Sequence, residues 1–468
     1  MGRRRKSSVQ VVEALEITAC GAEGHSIGRH NNQVVFVKYA APGDVVDVRV
    51  SKKKKNFLQG EILRFEKKSD LRIEPFCSDF GSCGGCKWQH LPYSEQLNFK
   101  QQQVVDSLQR LGNITDYKLH PIAGSPLTQE YRNKLELTFA DRAWEIEFDK
   151  ENPQPFRPAL GFHMPGQFSK LLDIERCYLM PSTVNKMQRQ IKDYCVENNL
   201  SFHNIQKHEG LMRNIMFRVN KKGEWMIVVS FYERNEDAIN GLMQFINKTF
   251  PEVISLNYTV NAKANDSWQG CEVQNFSGDP YLTEELGKLT FQIQPLSFFQ
   301  TNTEQTQNLY DMALNFAEIT KDDLVYDLYT GTGTIALYMA NSAKKVIGIE
   351  YVQAAIDDAW VNAKNNEITN CDFFAGDMKD VLTDEFIAEH GKPDVIVTDP
   401  PREGMHLSVV ECILNAQPSR IVYVSCNPAT QARDLALLSD KYSVTDIQPV
   451  DMFPHTHHVE NIAVLKLK

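Results

Sequence analysis

The chain has 468 residues, enough for roughly two to four domains because single cores rarely grow beyond about 250–300 residues. Its 42% hydrophobic, 24% charged and 10% aromatic residues describe an ordinary globular protein; no apolar run approaches the roughly 18 residues of a membrane span, and no secretory apolar core follows MGRRRKSS. A net charge of -10 argues against nucleic acid until its distribution is read: residues 1–72 carry 15 Lys and Arg against 8 Asp and Glu, a balance of +7, which leaves -17 on the remainder. A basic head on an acidic body is expected to meet a polyanion. The expectation is a cytoplasmic protein whose ten cysteines serve as free thiols, metal ligands or catalysts.

Residues 11–66 alternate apolar and polar positions in VVEALEI, VVFVKY, VVDVRV and FLQGEILRF. Turn chemistry separates these runs at GAEGHSIGRHNNQ and at Ala41-Pro42-Gly43-Asp44, which predicts a small antiparallel barrel. Arg3–Lys6 and Lys52–Lys55 place positive charge on its loops. EGHSIGR followed by VVFVKYAAPGDVVDV resembles the TRAM domain, an OB-like RNA-binding module, and that resemblance implies RNA binding for residues 1–70.

Next comes Cys77-x5-Cys83-Gly84-Gly85-Cys86, three thiols within ten residues around two glycines, a pattern suited to a metal centre. Cys177, in LLDIERCYLMP, is the candidate fourth ligand. Four thiolates hold zinc or an iron–sulfur cluster, and spacing alone does not choose between them.

Tyr93–Leu111 reads as a helix with Leu97, Val104, Leu108 and Leu111 on one stripe and Gly112 as its stop. From Tyr131 to about Phe276 the strand-like YRNKLELTFA, ALGFHM, RNIMFRV, WMIVVSFY and VISLNYTV mix with the helical TVNKMQRQIKDYCVENN, so residues 71–280 are read as an α+β middle domain. Its Arg132 and Lys134 are candidates for phosphate contact or for a solvated edge. Residues 281–468 then alternate regularly: helix Thr303–Ala317, LVYDLYTGTGT, KVIGIE, CDFFAGD, VIVTDPPREG, RIVYVSCNP and a closing NIAVLKLK. Such units build an α/β, Rossmann-like doubly wound sheet.

Asp327-Leu328-Tyr329-Thr330-Gly331-Thr332-Gly333-Thr334 joins a strand to a helix but lacks the third glycine of a dinucleotide fingerprint and the Lys-Ser/Thr of a phosphate loop. Glu350, 23 residues after Asp327 at the tip of the next strand, is placed to accept from ribose hydroxyls, and Asp377 at the third to accept from an adenine amine. Acids at successive strand ends favour a nucleoside without phosphates, hence S-adenosylmethionine. Asp399-Pro400-Pro401-Arg402 ends the fourth strand, with rigid prolines fixing Asp399 to hold a polar edge and Arg402 to orient a carboxylate or phosphate. Cys426 closes the strand RIVYVS before Pro428, at the carboxyl end where open α/β sheets bind ligands.

Taken together, QPLSFFQTN, DLYTGTGTIAL, VIVTDPPREG, VSCNP and HTHHVE, preceded by the TRAM pattern and CxxxxxCGGC, resemble the RNA (uracil-C5)-methyltransferases, especially the cluster-containing bacterial 23S ribosomal RNA enzymes. The resemblance spans nearly the whole chain. It implies a class I methyltransferase domain and a [4Fe-4S] cluster on Cys77, Cys83, Cys86 and Cys177. It also implies cofactor contacts at Gln300, Tyr329, Thr334, Glu350, Asp377 and Asp399, a nucleophile at Cys426 and a base at Glu460. Thr334 stands where some members have Asn.

The chemistry explains why these residue types are needed. C5 of uracil is too weak a nucleophile to take a methyl group unaided, so a thiolate must first add at C6. Arg402 and the sulfonium are the charges expected to lower the pKa of Cys426. Glu460 is expected to remove the C5 proton, with His458 as the alternative base. Asp399–Arg402 lacks the second cysteine of the related cytosine-C5 enzymes, which favours uracil. Ribosomal RNA is expected over transfer RNA because the transfer-RNA branch typically lacks barrel and cluster. The target base must leave its stack, most cheaply in a loop or bulge. No membrane and no obligate protein partner are inferred. Two competing readings are a radical S-adenosylmethionine enzyme, disfavoured by the five-residue first cysteine gap, and a non-catalytic iron–sulfur RNA-binding protein, which leaves Cys426, Glu460 and Asp399 unexplained.

Overall fold

A computed structural model describes residues 10–144 and 157–468 of the chain. Arg3–Lys6, expected on the barrel loops, lie outside the described residues.

Alternation in the first run of strands closes a five-stranded barrel in the order Val11–Cys20, His25–His30, Gln33–Lys38, Phe57–Lys67, Val45–Lys53. Its inward set, among them Leu15, Val35, Val37, Val46, Val48 and Leu58, forms one small apolar core. Gly60 is needed where two strands close up: a Cβ there would sit 2.6 Å from the Arg49 carbonyl oxygen. Buried Asp44, in the predicted turn, accepts from the Ala41 and Ser69 amides and from Arg72, fastening the barrel to the chain that leaves it.

The middle region carries a seven-stranded sheet in the order Gln274–Gly278, Val253–Val260, Trp225–Phe231, Met212–Val219, Lys134–Ala140, Ala159–Met164, Gln167–Asp173. Helices Thr183–Glu197 and Glu236–Thr249 contribute Val184, Met187, Ile191, Ile239, Leu242 and Met243 to its core.

The carboxyl-terminal sheet has eight strands in the order Cys371–Ala375, Lys345–Glu350, Leu324–Leu328, Val395–Thr398, Arg420–Ser425, Glu460–Leu467, Tyr442–Val450, Lys118–Leu119. Pairing is parallel from the first strand to Arg420–Ser425, and the order reverses at Leu324–Leu328, which makes the ligand crevice. Glu460–Leu467 runs antiparallel to Arg420–Ser425. Its first residue therefore reaches the edge where the parallel strands end.

The Tyr93–Leu111 helix packs on this sheet, with Val104 and Leu108 against Ala432 and Leu435 of the Pro428–Leu438 helix. Its stripe differs from the sequence expectation. Leu111 is 58% exposed, and the buried face continues through Gln96 and Lys100. Lys100 is buried because its ammonium meets Asp451 at 2.5 Å and the Phe453 carbonyl at 3.0 Å. Among the described residues no helix is long and apolar enough to cross a membrane.

Candidate active site

Cys426 ends the buried Arg420–Ser425 strand because Asn427 caps the next helix, its side chain accepting from the Ala429 amide at 3.1 Å, with Pro428 in the first turn. Ser425 pairs in register with Asn461, so Glu460 lies across from Cys426 on the neighbouring strand. The amide of buried Gln431, one turn into the helix, donates to the Tyr423 and Asn461 carbonyls, and Asn461 Nδ2 donates back to Gln431 Oε1 at 2.6 Å. That exchange locks the helix that follows Cys426 to the strand that begins at Glu460.

Asp399 follows Val395–Thr398 in the adjacent parallel strand. Burial raises the Asp399 carboxyl well above the usual carboxylate range, and burial followed by repulsion from Asp399 does the same to Glu460. Exposed Arg402 opposes this at Glu460, and the Asn427 and Thr430 side chains donate to its own carbonyl at 3.0 Å each. Arg402 acts on the Cys426 thiol in the expected direction, lowering its pKa, but burial first and then Glu460 and Asp399 outweigh it and push the thiol up to about 12. His457 and His458 are held down to about 3 and about 4, chiefly by burial and then by each other or nearby cations, so both imidazoles are neutral. His458 is thus a poor proton acceptor beside Glu460.

The glycine-rich turn lies on the same edge. Gly331 adopts φ 56° with nothing within 4 Å of where a Cβ would stand, which leaves the turn open to a ligand. Tyr329 adopts φ 65° just before it. Glu350 holds the turn in place, accepting from the Gly331 amide at 3.1 Å and the Val352 amide at 3.0 Å. Thr334 opens the following helix and shares a 3.2 Å hydrogen bond with the Tyr310 hydroxyl. Asp377 ends the third strand as expected, but its carboxylate is engaged locally by the Lys379 amide at 3.3 Å and ammonium at 3.0 Å. Gln300 precedes the Thr303–Ala317 helix, and its carbonyl accepts from Asn133 at 2.9 Å. Asp327 was read only as part of the turn motif. It proves to be a fully buried carboxyl raised to about 7, first by burial, accepting from Thr330 at 2.5 Å with its other oxygen unpartnered within the protein. Its position at a strand end next to two other acids was the available signal. It joins Glu350, Asp399 and Glu460 in a cluster of four carboxyls at these strand ends, whose ionisation a cationic ligand favours.

All four cysteines of the proposed centre line one cavity of about 400 Å³, together with Arg132, Thr301 and Thr456. Burial pushes Cys83 up to about 11 and Cys86 up to about 12, and each feels Cys177 and Cys77. Among the described residues no three Cys, His, Asp or Glu side chains converge closely enough to hold a single metal ion. The cysteine loop is fastened to the approach to Glu460: the Lys87 and Trp88 amides donate to the His455 carbonyl at 2.8 and 3.1 Å, and the His455 amide donates to Gln96 at 2.8 Å.

Comparison with known proteins shows the family. A family model described as tRNA (Uracil-5-)-methyltransferase matches residues 279–468, and a TRAM domain model matches residues 6–63. An uncharacterized RNA methyltransferase of Bacteroides thetaiotaomicron is 50% identical over 96% of this chain and 100% of its own length. One of Porphyromonas gingivalis is 49% identical over 96% and 99%. The crystal structure of the Pyrococcus abyssi tRNA (uracil-54, C5)-methyltransferase in complex with S-adenosyl-L-homocysteine matches with a TM-score of 0.74 at 27% identity, covering 96% of this chain and 100% of that one.

Proposed function

The chain belongs to the S-adenosylmethionine-dependent RNA (uracil-5-)-methyltransferases that carry a TRAM barrel, and from that premise we propose that it methylates a uridine at C5, in 23S ribosomal RNA, through a covalent bond from Cys426. The observation that carries the mechanism is the strand register that sets Glu460 opposite Cys426 with Asp399 alongside.

Bound S-adenosylmethionine supplies an electrophilic methyl group on a sulfonium centre. Tyr329, Thr334, Glu350, Asp377, Asp399 and Gln300 are the residues assigned to hold it. Cys426 releases its proton to solvent and its sulfur adds to C6, which puts electron density on C5; C5 then forms a bond to the methyl carbon as the methyl–sulfonium bond breaks, its electron pair staying on sulfur as a neutral thioether. A proton held by the Asp399 and Glu460 pair removes one of the two negative charges that oppose thiolate formation, and Arg402 supplies the compensating cation. Glu460 in its ionised form then takes the C5 proton, the C5–C6 double bond re-forms and the Cys426 sulfur leaves.

RNA containing 5-fluorouridine tests this, because fluorine at C5 cannot leave as a proton. With S-adenosylmethionine it is expected to give a denaturation-resistant adduct, absent in Cys426→Ala. Failure of every 5-fluorouridine-bearing RNA to form that adduct would overturn the mechanism.

The choice of ribosomal RNA rests on the cysteine pattern. The barrel no longer discriminates: the archaeal tRNA enzyme covers 96% of this chain, leaving fewer residues unmatched than the barrel contains. Transfer RNA is therefore the second reading. Mapping 5-methyluridine by mass in ribosomal and transfer RNA from a strain lacking the gene decides between them.

A [4Fe-4S] cluster on Cys77, Cys83, Cys86 and Cys177 fits the donor set. This assignment rests on the spacing of these cysteines and on their lining one cavity; among the described residues no three such side chains are placed to hold a single metal ion. Its contribution is to hold the cysteine loop against the His455 segment. Iron–sulfur absorption in anaerobically purified protein is expected; a colourless protein with one bound zinc would refute it.

A further inference from the structure

A second cavity, of about 550 Å³, lies at the seam between the barrel and the cysteine loop, lined by Tyr39 and Phe65 from the barrel side and Phe80 from between Cys77 and Cys83. Its walls are flat and aromatic. Phe80 stands edge-on to Tyr39 with centroids 5.3 Å apart, and faces His90 at 5.4 Å with a 37° tilt. Across from them the Arg72 guanidinium lies 4.7 Å over the Phe65 ring, held flat by Asp44 at 2.8 and 2.6 Å and by the Tyr39 carbonyl at 2.8 Å. A guanidinium pinned in that way is itself a stacking surface for a base.

The polar groups define the occupant further. Lys68, exposed at the mouth and 5.6 Å over Phe65, forms no ion pair among the described residues and is placed to meet a phosphate. His90 Nε2 lies 3.1 Å from the Ala40 carbonyl, which can only accept, so Nε2 carries the hydrogen and Nδ1 is an acceptor. That Nδ1 is buried without a partner, on a residue that lines the cavity. Glu74 is the acceptor at the rim. A carboxylate acceptor and a cation at the mouth match a base with an exocyclic amine, followed by its phosphate.

We propose that this seam cavity takes one unstacked, amine-bearing nucleobase of the RNA substrate, stacked between Phe80 and the Arg72–Phe65 layer with its phosphate at Lys68. The inference rests on RNA being the substrate, and adds a contact remote from Cys426. It also gives the cysteine loop a direct share in RNA binding, because Phe80 belongs to that loop.

The test uses the full-length protein and two labelled probes of equal charge, a 12-residue oligoadenylate and a 12-residue oligouridylate, at fixed salt. Oligoadenylate is expected to bind about tenfold tighter, within the range one base–aromatic stack supplies. Phe65→Leu and Phe80→Leu, which keep bulk but remove the ring face, should bring that ratio towards one. Lys68→Ala should weaken both probes equally and leave the ratio intact. Ultraviolet cross-links from oligoadenylate should map to peptides holding Tyr39, Phe65 or Phe80. Equal affinities in the parent protein, or a ratio unchanged in both leucine variants with cross-links elsewhere, would overturn the proposal and leave the cavity to a protein partner. The 5-fluorouridine adduct separates this from the reaction: base preference without an adduct sinks the methylation mechanism alone, and an adduct without base preference sinks the cavity alone.

Discussion

Glu460 links stability to pH with a sign opposite to that of a salt-bridged acid. Its folded pKa is raised by burial and by Asp399, so the folded state holds the proton more tightly than the unfolded chain, whose value is near 4.5. The resulting stabilisation is complete below that unfolded value and is lost as pH rises through the raised folded value. Glu460→Gln cannot ionise. Relative to the parent it is expected to gain up to about 5 kcal/mol between pH 4 and pH 9, each unit of the shift from 4.5 to about 8 being worth about 1.4 kcal/mol. Urea unfolding across that range checks it, and a difference independent of pH would show that Glu460 is not raised. The same variant should accumulate the methylated covalent intermediate; normal turnover would remove Glu460 from the role of base. At Arg402 the argument concerns the thiol. The cation is the one neighbour that lowers Cys426 against burial and two acids, so Arg402→Ala should slow adduct formation at neutral pH about tenfold per pKa unit lost, and raising the pH should recover the rate. A rate defect that stays constant with pH would place Arg402 in RNA binding instead.

At the scale of elements, the Gln431–Asn461 exchange is what keeps two chain segments in one register. Asn461→Ala leaves the buried Gln431 Oε1 without its donor, a cost of about 1 to 3 kcal/mol, and should reduce kcat more than KM because it disturbs the placement of Glu460 and not the RNA surface. A variant with lowered stability but parental kcat would make the lock structural only. How much of this was legible in the sequence follows from where each partner lies. The bounds of helix Tyr93–Leu111 were legible because its Gly112 stop and part of its apolar stripe, Val104 and Leu108, are local signals. Its polar buried face was not, since the partner of Lys100 is Asp451, 351 positions away. Cys426 and Asp399 were legible because each ends an apolar run beside a proline. The pKa of Cys426 was not, because the acids that raise it come from other strands. The Tyr442–Val450 strand went unrecognised in a stretch interrupted by Pro449. Its pairing is nonetheless what brings Glu460 to the sheet edge.

For the whole molecule, the decisive quantity is the separation of charge. The basic excess sits in the first 72 residues, whereas the crevice at the far end of the chain is ringed by Asp327, Glu350, Asp399 and Glu460. An acidic crevice draws a cationic cofactor but repels a phosphate backbone, so the grip on RNA must come from elsewhere, and the barrel is the part with the charge to do it. Lys52, Lys53, Lys54 and Lys55 are exposed along one barrel strand and the turn beyond it. Replacing Lys52, Lys54 and Lys55 with alanine removes three candidate phosphate contacts without touching the crevice. For single-stranded RNA, log K falls with log salt by about 0.7 per phosphate neutralised, so the slope should flatten by up to about 2 while adduct formation at saturating RNA stays at the parental rate. A slope unchanged by the triple substitution would mean that the backbone is held on another face. The middle sheet, with Arg132 and Arg176 beside the cysteine cavity, would then carry the grip, and the same salt titration on substitutions there would find it.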